Sequence, residues 1–279
     1  MNKLIIFTYI LLFIAGCDND YYKGIRLDKI VKKAINNPES VFFDKDSNYL
    51  YVSNINGKSL EKDGNGFISV LSLEGEIIED KLVDGLNAPK GIFVKNNLIY
   101  IIDINQLIIF NLETKETEEI REFNNAISLN DITISDNGKR IFISDFLGNK
   151  LFEINEDKIV YEHSIIKPNG LYIYDNQLYI GTFQLNENGH IFRLNLNDKN
   201  AKIESYLTNI GFCDGIYIDD YLIAISNFDN EFKLIDKKSN KIISKAKSEN
   251  FNFGDFYYSE SLIISPSLKS SEILFLKFD

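Results

Sequence analysis

Runs of apolar residues, broken by turns rich in Asn, Asp and Gly, follow one another along almost the whole chain. Val, Ile, Phe and Tyr in short alternating or clustered runs bounded by such turns predict strands rather than helices. The runs fall into units that open alike: a small or polar pair, an apolar run, a turn, a second apolar run. Six units open at Glu39-Ser40, Lys90-Gly91, Asn130-Asp131, Asn169-Gly170, Asp214-Gly215 and Gly254-Asp255, with intervals of 51, 40, 39, 45 and 40 residues. That period suits four-stranded units arranged about an axis, not helical arrays. The predicted fold is all-β, a six-bladed β-propeller of four-stranded blades.

First runs are expected at 40–44, 91–95, 131–135, 170–174, 215–219 and 255–259, and second runs at 49–53, 98–102, 140–144, 177–181, 221–226 and 261–265. Third runs follow in every unit, and the fourth runs, such as 115–121 and 201–207, are more charged, as edges facing water require. The sixth unit ends with its third run. Residues 24–31 are predicted to supply the missing strand and close the ring, with a short helical turn over 27–35 as the alternative.

The extreme N-terminus has a different pattern. Lys3, an apolar stretch from Leu4 to Phe13, and Ile14-Ala15-Gly16-Cys17 resemble a bacterial lipoprotein signal, cut before Cys17 and lipidated there. An ordinary signal peptide or an uncleaved anchor is the alternative, and each exports the domain. Asp18 resembles an inner-membrane retention signal. The division expected is 1–16 signal peptide, 17–23 tether and 24–279 propeller, held outside the cytoplasm in the cell envelope. With Cys17 carrying lipid, Cys213 has no disulfide partner, so the domain must rest on a buried core, for which 44% apolar content suffices. A net charge of −11 argues against nucleic acid or anionic lipid headgroups as ligands and is compatible with a divalent cation.

In such a ring the first residue of each inner strand points to one mouth of the channel. That mouth is predicted to collect Glu39, Lys90, Asn130, Asn169, Asp214 and Gly254, with Asn54, Asp103, Asp145, Thr182 and Asn227 just behind. Asx and Gly at strand starts are also ordinary turn residues. Glu39 is a poor turn former, however, and its place in phase with Asn169 and Asp214 favours a shared site. Clustered carboxylate and amide oxygens suit Ca²⁺.

Pro38-Glu39 followed by Tyr51-Val52-Ser53-Asn54, then Pro168-Asn169-Gly170-Leu171, then Asp214-Gly215-Ile216 resemble the metal-bearing stretches of the regucalcin/gluconolactonase family of six-bladed propellers. The resemblance implies Glu39, Asn169 and Asp214 as ligands of Ca²⁺ or another divalent cation, and Asp214 as the base that activates water. Asn130, in Leu129-Asn130-Asp131, matches a residue that holds substrate. Ser128 stands where sugar-specific members carry Arg, Cys213 replaces a common Pro, and Lys90 adds a cation with a suggested role in holding substrate. The expected activity is hydrolysis of a lactone or ester. The alternative is a non-catalytic, envelope-anchored module binding a glycan, peptide or protein, which the insertion at 55–66 suits.

Other chemistry is poorly supplied. His163 and His190 are the sole histidines, and neither sits where a triad or zinc centre would need it. Glu61, Asp63, Asn65 and Gly66 evoke an EF-hand loop, but Ser72 occupies its closing position, so a long hairpin loop is expected. Cys213 reads as a small core residue rather than a nucleophile.

Overall fold

The computed structural model describes residues 21–155, 158–183, 189–198 and 200–278, and among these every regular element is a strand. The signal peptide, Cys17 and Asp18 lie outside the described residues. Six antiparallel sheets form a closed ring, and the chain meanders outward through each. Blade 1 comprises Pro38–Asp44, Tyr49–Asn54, Gly66–Ser72 and Ile77–Leu86. The inner strands of blades 2 to 5 are Pro89–Lys95, Leu129–Ile134, Pro168–Tyr174 and Cys213–Ile218. Blade 6 runs from Tyr257–Ser259 through Leu262–Ser267 to Glu272–Phe278.

Its outermost strand comes from the other end of the chain. Ile25–Val31 pairs antiparallel with Glu272–Phe278, so the first and last strands of the propeller share one sheet. Strand rather than helix therefore forms at Leu27, where Leu276 is its partner. Within the expected tether, Tyr21–Lys23 adds a fifth strand to blade 5 beside Lys241–Lys247.

Blade 6 departs from the predicted inner run of 255–259. Asp255 leaves its own blade and bridges to Ser40 of blade 1. There the Asp255 N–H donates to Glu39 O and the Val41 N–H to Asp255 O, each at 3.2 Å. The seam that closes the ring is thus tied by main chain at Glu39.

Period-two alternation gives every strand two faces, and because blades stack face to face both are covered. The outcome is six apolar clusters, one per seam: Tyr51 and Ile68 with Ile92 and Ile99 between blades 1 and 2, and Phe232 and Leu234 with Ile263 and Leu274 between blades 5 and 6. Aromatic pairs bridge several seams, with ring centroids 4.8 Å apart for Phe42–Phe93 and 4.6 Å for Tyr217–Tyr258. Each fully buried Ile, Leu or Phe contributes about 1.5–3 kcal/mol, which supports closure without a disulfide. Outer strands such as Glu116–Glu122 stay largely exposed and charged.

Candidate functional site

Five of the six inner strands break register at the same place. Pairing with the second strand skips between Pro38 and Val41, Pro89 and Ile92, Leu129 and Ile132, Pro168 and Leu171, and Cys213 and Ile216. The skipped pairs are the predicted anchors: Glu39-Ser40, Lys90-Gly91, Asn130-Asp131, Asn169-Gly170 and Asp214-Gly215. A bulge re-aims side chains and leaves an N–H without its ladder partner. In three blades a serine of the second strand accepts it: Ser53 Oγ from Ser40 N at 3.0 Å, Ser144 Oγ from Asp131 N at 2.9 Å, Ser226 Oγ from Gly215 N at 2.7 Å.

The first members of all six pairs, Glu39, Lys90, Asn130, Asn169, Asp214 and Gly254, line one cavity of about 820 Å³. Asn169 Nδ2 donates to Asp214 Oδ1 at 2.8 Å, and Asn130 Nδ2 to Glu39 Oε1 at 3.2 Å. Each amide spends its N–H on a carboxylate and leaves its oxygen over. Glu39 Oε2, Asn130 Oδ1 and Asn169 Oδ1 are buried and have no hydrogen-bond partner. Lys90 is also buried; its ammonium donates to Ser59 O at 3.0 Å and Ala88 O at 3.3 Å, fastening the insertion at 55–66 to the mouth. Two of its three donors are thereby engaged. The insertion is the hairpin loop expected between the second and third strands of blade 1, with Asn56 Nδ2 donating to Asn65 O at 2.8 Å.

The second members contain two acids that sequence reasoning did not single out as site residues. Asp131 and Asp255 are buried, and the corresponding positions elsewhere hold Ser40, Gly91, Gly170 and Gly215. Small residues there leave room for the carboxyls. A Cβ on Gly91 would lie 2.7 Å from Asp131 Oδ1, and one on Gly215 would lie 2.8 Å from Asp255 Oδ1. Asp131 Oδ2 accepts the Leu171 N–H at 2.6 Å, joining blades 3 and 4. The available signal was composition, since these are the acidic members among the six second positions.

Four carboxyl groups thus crowd one region, with Lys90 the buried ammonium near them among the described residues. Burial pushes Asp214 up to about 7 against the pull of the Asn169 hydrogen bond. Burial also raises Asp131 to about 7, opposed by the Leu171 and Ile132 N–H groups and reinforced by Asp214. Glu39 is held well above the usual carboxylate range by burial and then by Asp214, with Lys90 pulling the other way. Asp255 is raised by burial and by Asp131, Asp214 and Glu39 in turn. Lys90 is lowered by burial, opposed by Glu39 and Asp103. A cation among the unpartnered oxygens would remove much of this desolvation and repulsion. Carboxylate and amide oxygens are the donor type that a hard divalent cation takes, while among the described residues no group of three acids, histidines or cysteines is placed to hold a metal.

The residues expected just behind the mouth have a different task. Asp103 accepts from the N–H groups of Asn87 and Ala88, at 2.8 and 2.7 Å. Asp145 accepts from Ile127, Ser128 and Gly148, at 3.0, 2.8 and 3.0 Å. Asn54 Oδ1 takes Asn36 N at 2.9 Å, Thr182 Oγ1 takes His190 N at 3.0 Å, and Asn227 Nδ2 donates to Ile210 O at 3.1 Å. Through these bonds each latches main chain nearby; Asn54 Nδ2 also donates to Ser69 Oγ at 2.9 Å, and Asn227 Oδ1 is buried without a partner.

One position further on lies a feature that sequence reasoning passed over. The residue after each second strand is apolar in all six blades: Ile55, Ile104, Phe146, Phe183, Phe228 and Leu268. All except Ile104 line the cavity, and Ile104 packs against Ile55 in a cluster bordered by Leu268. His163, on the outer strand of blade 3, and His190, at the third strand of blade 4, do not line it. Cys213 is fully buried and its thiol is pushed well up by burial and by Asp214, which matches a core residue and not a nucleophile.

No family model and no curated protein matches the chain. Among solved structures, the β-propeller domain of Cps50 (Swd1) from Myceliophteria thermophila is similar to it with a TM-score of 0.67 at 9% identity, over 91% of this chain and 100% of that one. The computationally designed Ika8 protein is similar with a TM-score of 0.51 at 11% identity, over 86% of this chain and 71% of that one. At such identities the likeness is one of fold. The ring of six sheets, five of four strands and one of five, and these neighbours together show a β-propeller.

Proposed function

We propose that this propeller is a divalent-cation-dependent hydrolase of a lactone or ester, of the kind that the regucalcin/gluconolactonase family carries out. One observation carries the reading: Glu39, Asn169 and Asp214, far apart in sequence, border one cavity, and Glu39 Oε2 and Asn169 Oδ1 are buried there without hydrogen-bond partners. Ca²⁺ or another divalent cation would be held by these three side chains, and when bound it supplies a Lewis acid for the substrate carbonyl. Asp214 takes the proton of the attacking water as the water oxygen bonds to the carbonyl carbon. The ring or ester C–O bond then breaks, and the proton passes from Asp214 to the departing alkoxide oxygen. A carboxylate that also serves a cation is a weak base, so an activated ester suits it better than an amide. Asn130, fixed through Glu39, and the remaining N–H of Lys90 would hold polar groups of the substrate. The proposal includes export and lipid anchoring through Cys17, with the propeller outside the cytoplasm.

Metal analysis of the purified protein, its Tm with Ca²⁺ and with EDTA, and a lactone and ester panel test this reading. Chelator-sensitive turnover that Asp214→Ala abolishes without unfolding is the expected result. Stabilisation by Ca²⁺ with no turnover would favour the non-catalytic binding role. Absence of both would remove the metal site and the hydrolysis together.

A further inference from the structure

We propose that the substrate of this site is a lactone or ester bearing an apolar acyl or aryl group, and not a polyhydroxylated sugar lactone; this rests on the hydrolase reading above. The cavity lining combines the polar Glu39, Asn169 and Asp214 with an apolar collar of Ile55, Phe146, Phe183, Phe228 and Leu268, supplied by five different blades. Phe183 forms the centre of an aromatic group, with ring centroids 5.4 Å from Phe146, 5.0 Å from Phe212 and 5.9 Å from Phe228. Phe228 is 44% exposed and Phe146, Phe183 and Leu268 are half-buried, which leaves apolar surface available for a ligand to cover, while Ile55 is buried.

The collar is preformed. The Phe146, Phe183 and Phe228 N–H groups donate to Ser128, Lys167 and Phe212 carbonyls at 2.9, 2.9 and 3.0 Å, each just before the inner strand of the same blade. The three phenylalanines are thereby tied to the segments that enter the inner strands bearing Asn130, Asn169 and Asp214, and a molecule with its carbonyl at those residues can lay its remainder along the phenyl rings. The candidates for reading sugar hydroxyls are partly spent. Asp103 and Asp145 are turned to backbone N–H groups, and Lys90 is tied to Ser59 and Ala88. A cavity of about 820 Å³ also far exceeds what a bare lactone ring fills.

The experiment measures kcat/KM with Ca²⁺ for δ-valerolactone, δ-octalactone, δ-decalactone and glucono-δ-lactone. In parallel, fluorescence of the apolar probe N-phenyl-1-naphthylamine reports binding without turnover. The proteins are wild type, Phe183→Ser, Phe228→Ser and Ile242→Ser, the last altering an exposed isoleucine on the outer strand of blade 5. Burial of each methylene should raise kcat/KM roughly three- to fourfold until the collar is filled. Either phenylalanine variant should cut the decalactone-to-valerolactone ratio about tenfold and weaken the probe, while Ile242→Ser changes neither. Turnover with a flat series, or fastest on glucono-δ-lactone, would overturn this inference and leave the hydrolase reading standing. No turnover of these lactones or of the ester panel would defeat the hydrolase reading and the substrate assignment with it. Probe binding indifferent to both phenylalanines would overturn the collar regardless of turnover.

Discussion

Asp214→Asn should stabilise the metal-free protein increasingly as pH rises, although the same change removes the proposed base. In the folded chain burial pushes this carboxyl from 3.8 up to about 7. Between those values the native state keeps a proton that the unfolded state has already released. Stability due to this group is therefore full below about 4, falls as pH climbs toward 7, and stays low above. The interval corresponds to about 4 kcal/mol for an isolated group. Glu39, Asp131 and Asp255 share the region, and protons redistribute among them, so about 2 kcal/mol is expected from one substitution. Asn keeps the shape and still offers an oxygen to Asn169 Nδ2, so little packing is lost. A gain of that size in a domain this long raises Tm by about 4–8 °C. The assay is thermal unfolding of both proteins in EDTA at pH 4 and pH 8. The difference in Tm, variant minus wild type, should be near zero at pH 4 and about 4–8 °C at pH 8. Added Ca²⁺ should close the gap by stabilising wild type alone. A difference that is the same at both pH values would refute the desolvated carboxylate cluster.

Two further outcomes follow from the same geometry. Asp145→Ala strands one buried backbone N–H, that of Ser128, and two part-buried ones, those of Ile127 and Gly148, and should cost about 2–4 kcal/mol in urea unfolding. Were Asp145 a site residue instead, turnover would fall with stability unchanged. Gly170→Ala would drive a Cβ into the Asp214 carbonyl oxygen of the neighbouring blade, so the Ca²⁺-dependent rise in Tm should vanish while far-UV circular dichroism keeps its β signature. A normal calcium response in that variant would show that the anchor positions are not mutually fixed.

How far the chain could be read depends on the range of the interactions involved. A blade is a meander of some forty residues whose strands pair with their sequence neighbours, so period, turn residues and apolar runs declare it locally. Even the long-range closure by Ile25–Val31 was legible, because the sixth unit lacks an outer strand and one apolar run was left over. The phase of Glu39, Asn169 and Asp214 was equally plain, and the fold brings all three to one cavity.

Tertiary structure decided where the neighbouring polar atoms point. Asp103 and Asp145 look like members of the site in sequence, yet each finds backbone N–H groups closer at hand. Asp131 and Asp255 look like turn residues, yet bulges and the glycines of adjacent blades turn them into the carboxylate cluster. The apolar residue that follows each blade's second strand is visible in the repeat, but its meaning depends on five of the six lining one cavity. Periodicity along one chain fixes which strands pair, because that choice is made among neighbours. The direction of a side chain at a bulge, and the partner it takes there, depend on the next blade and exist only once the ring is closed.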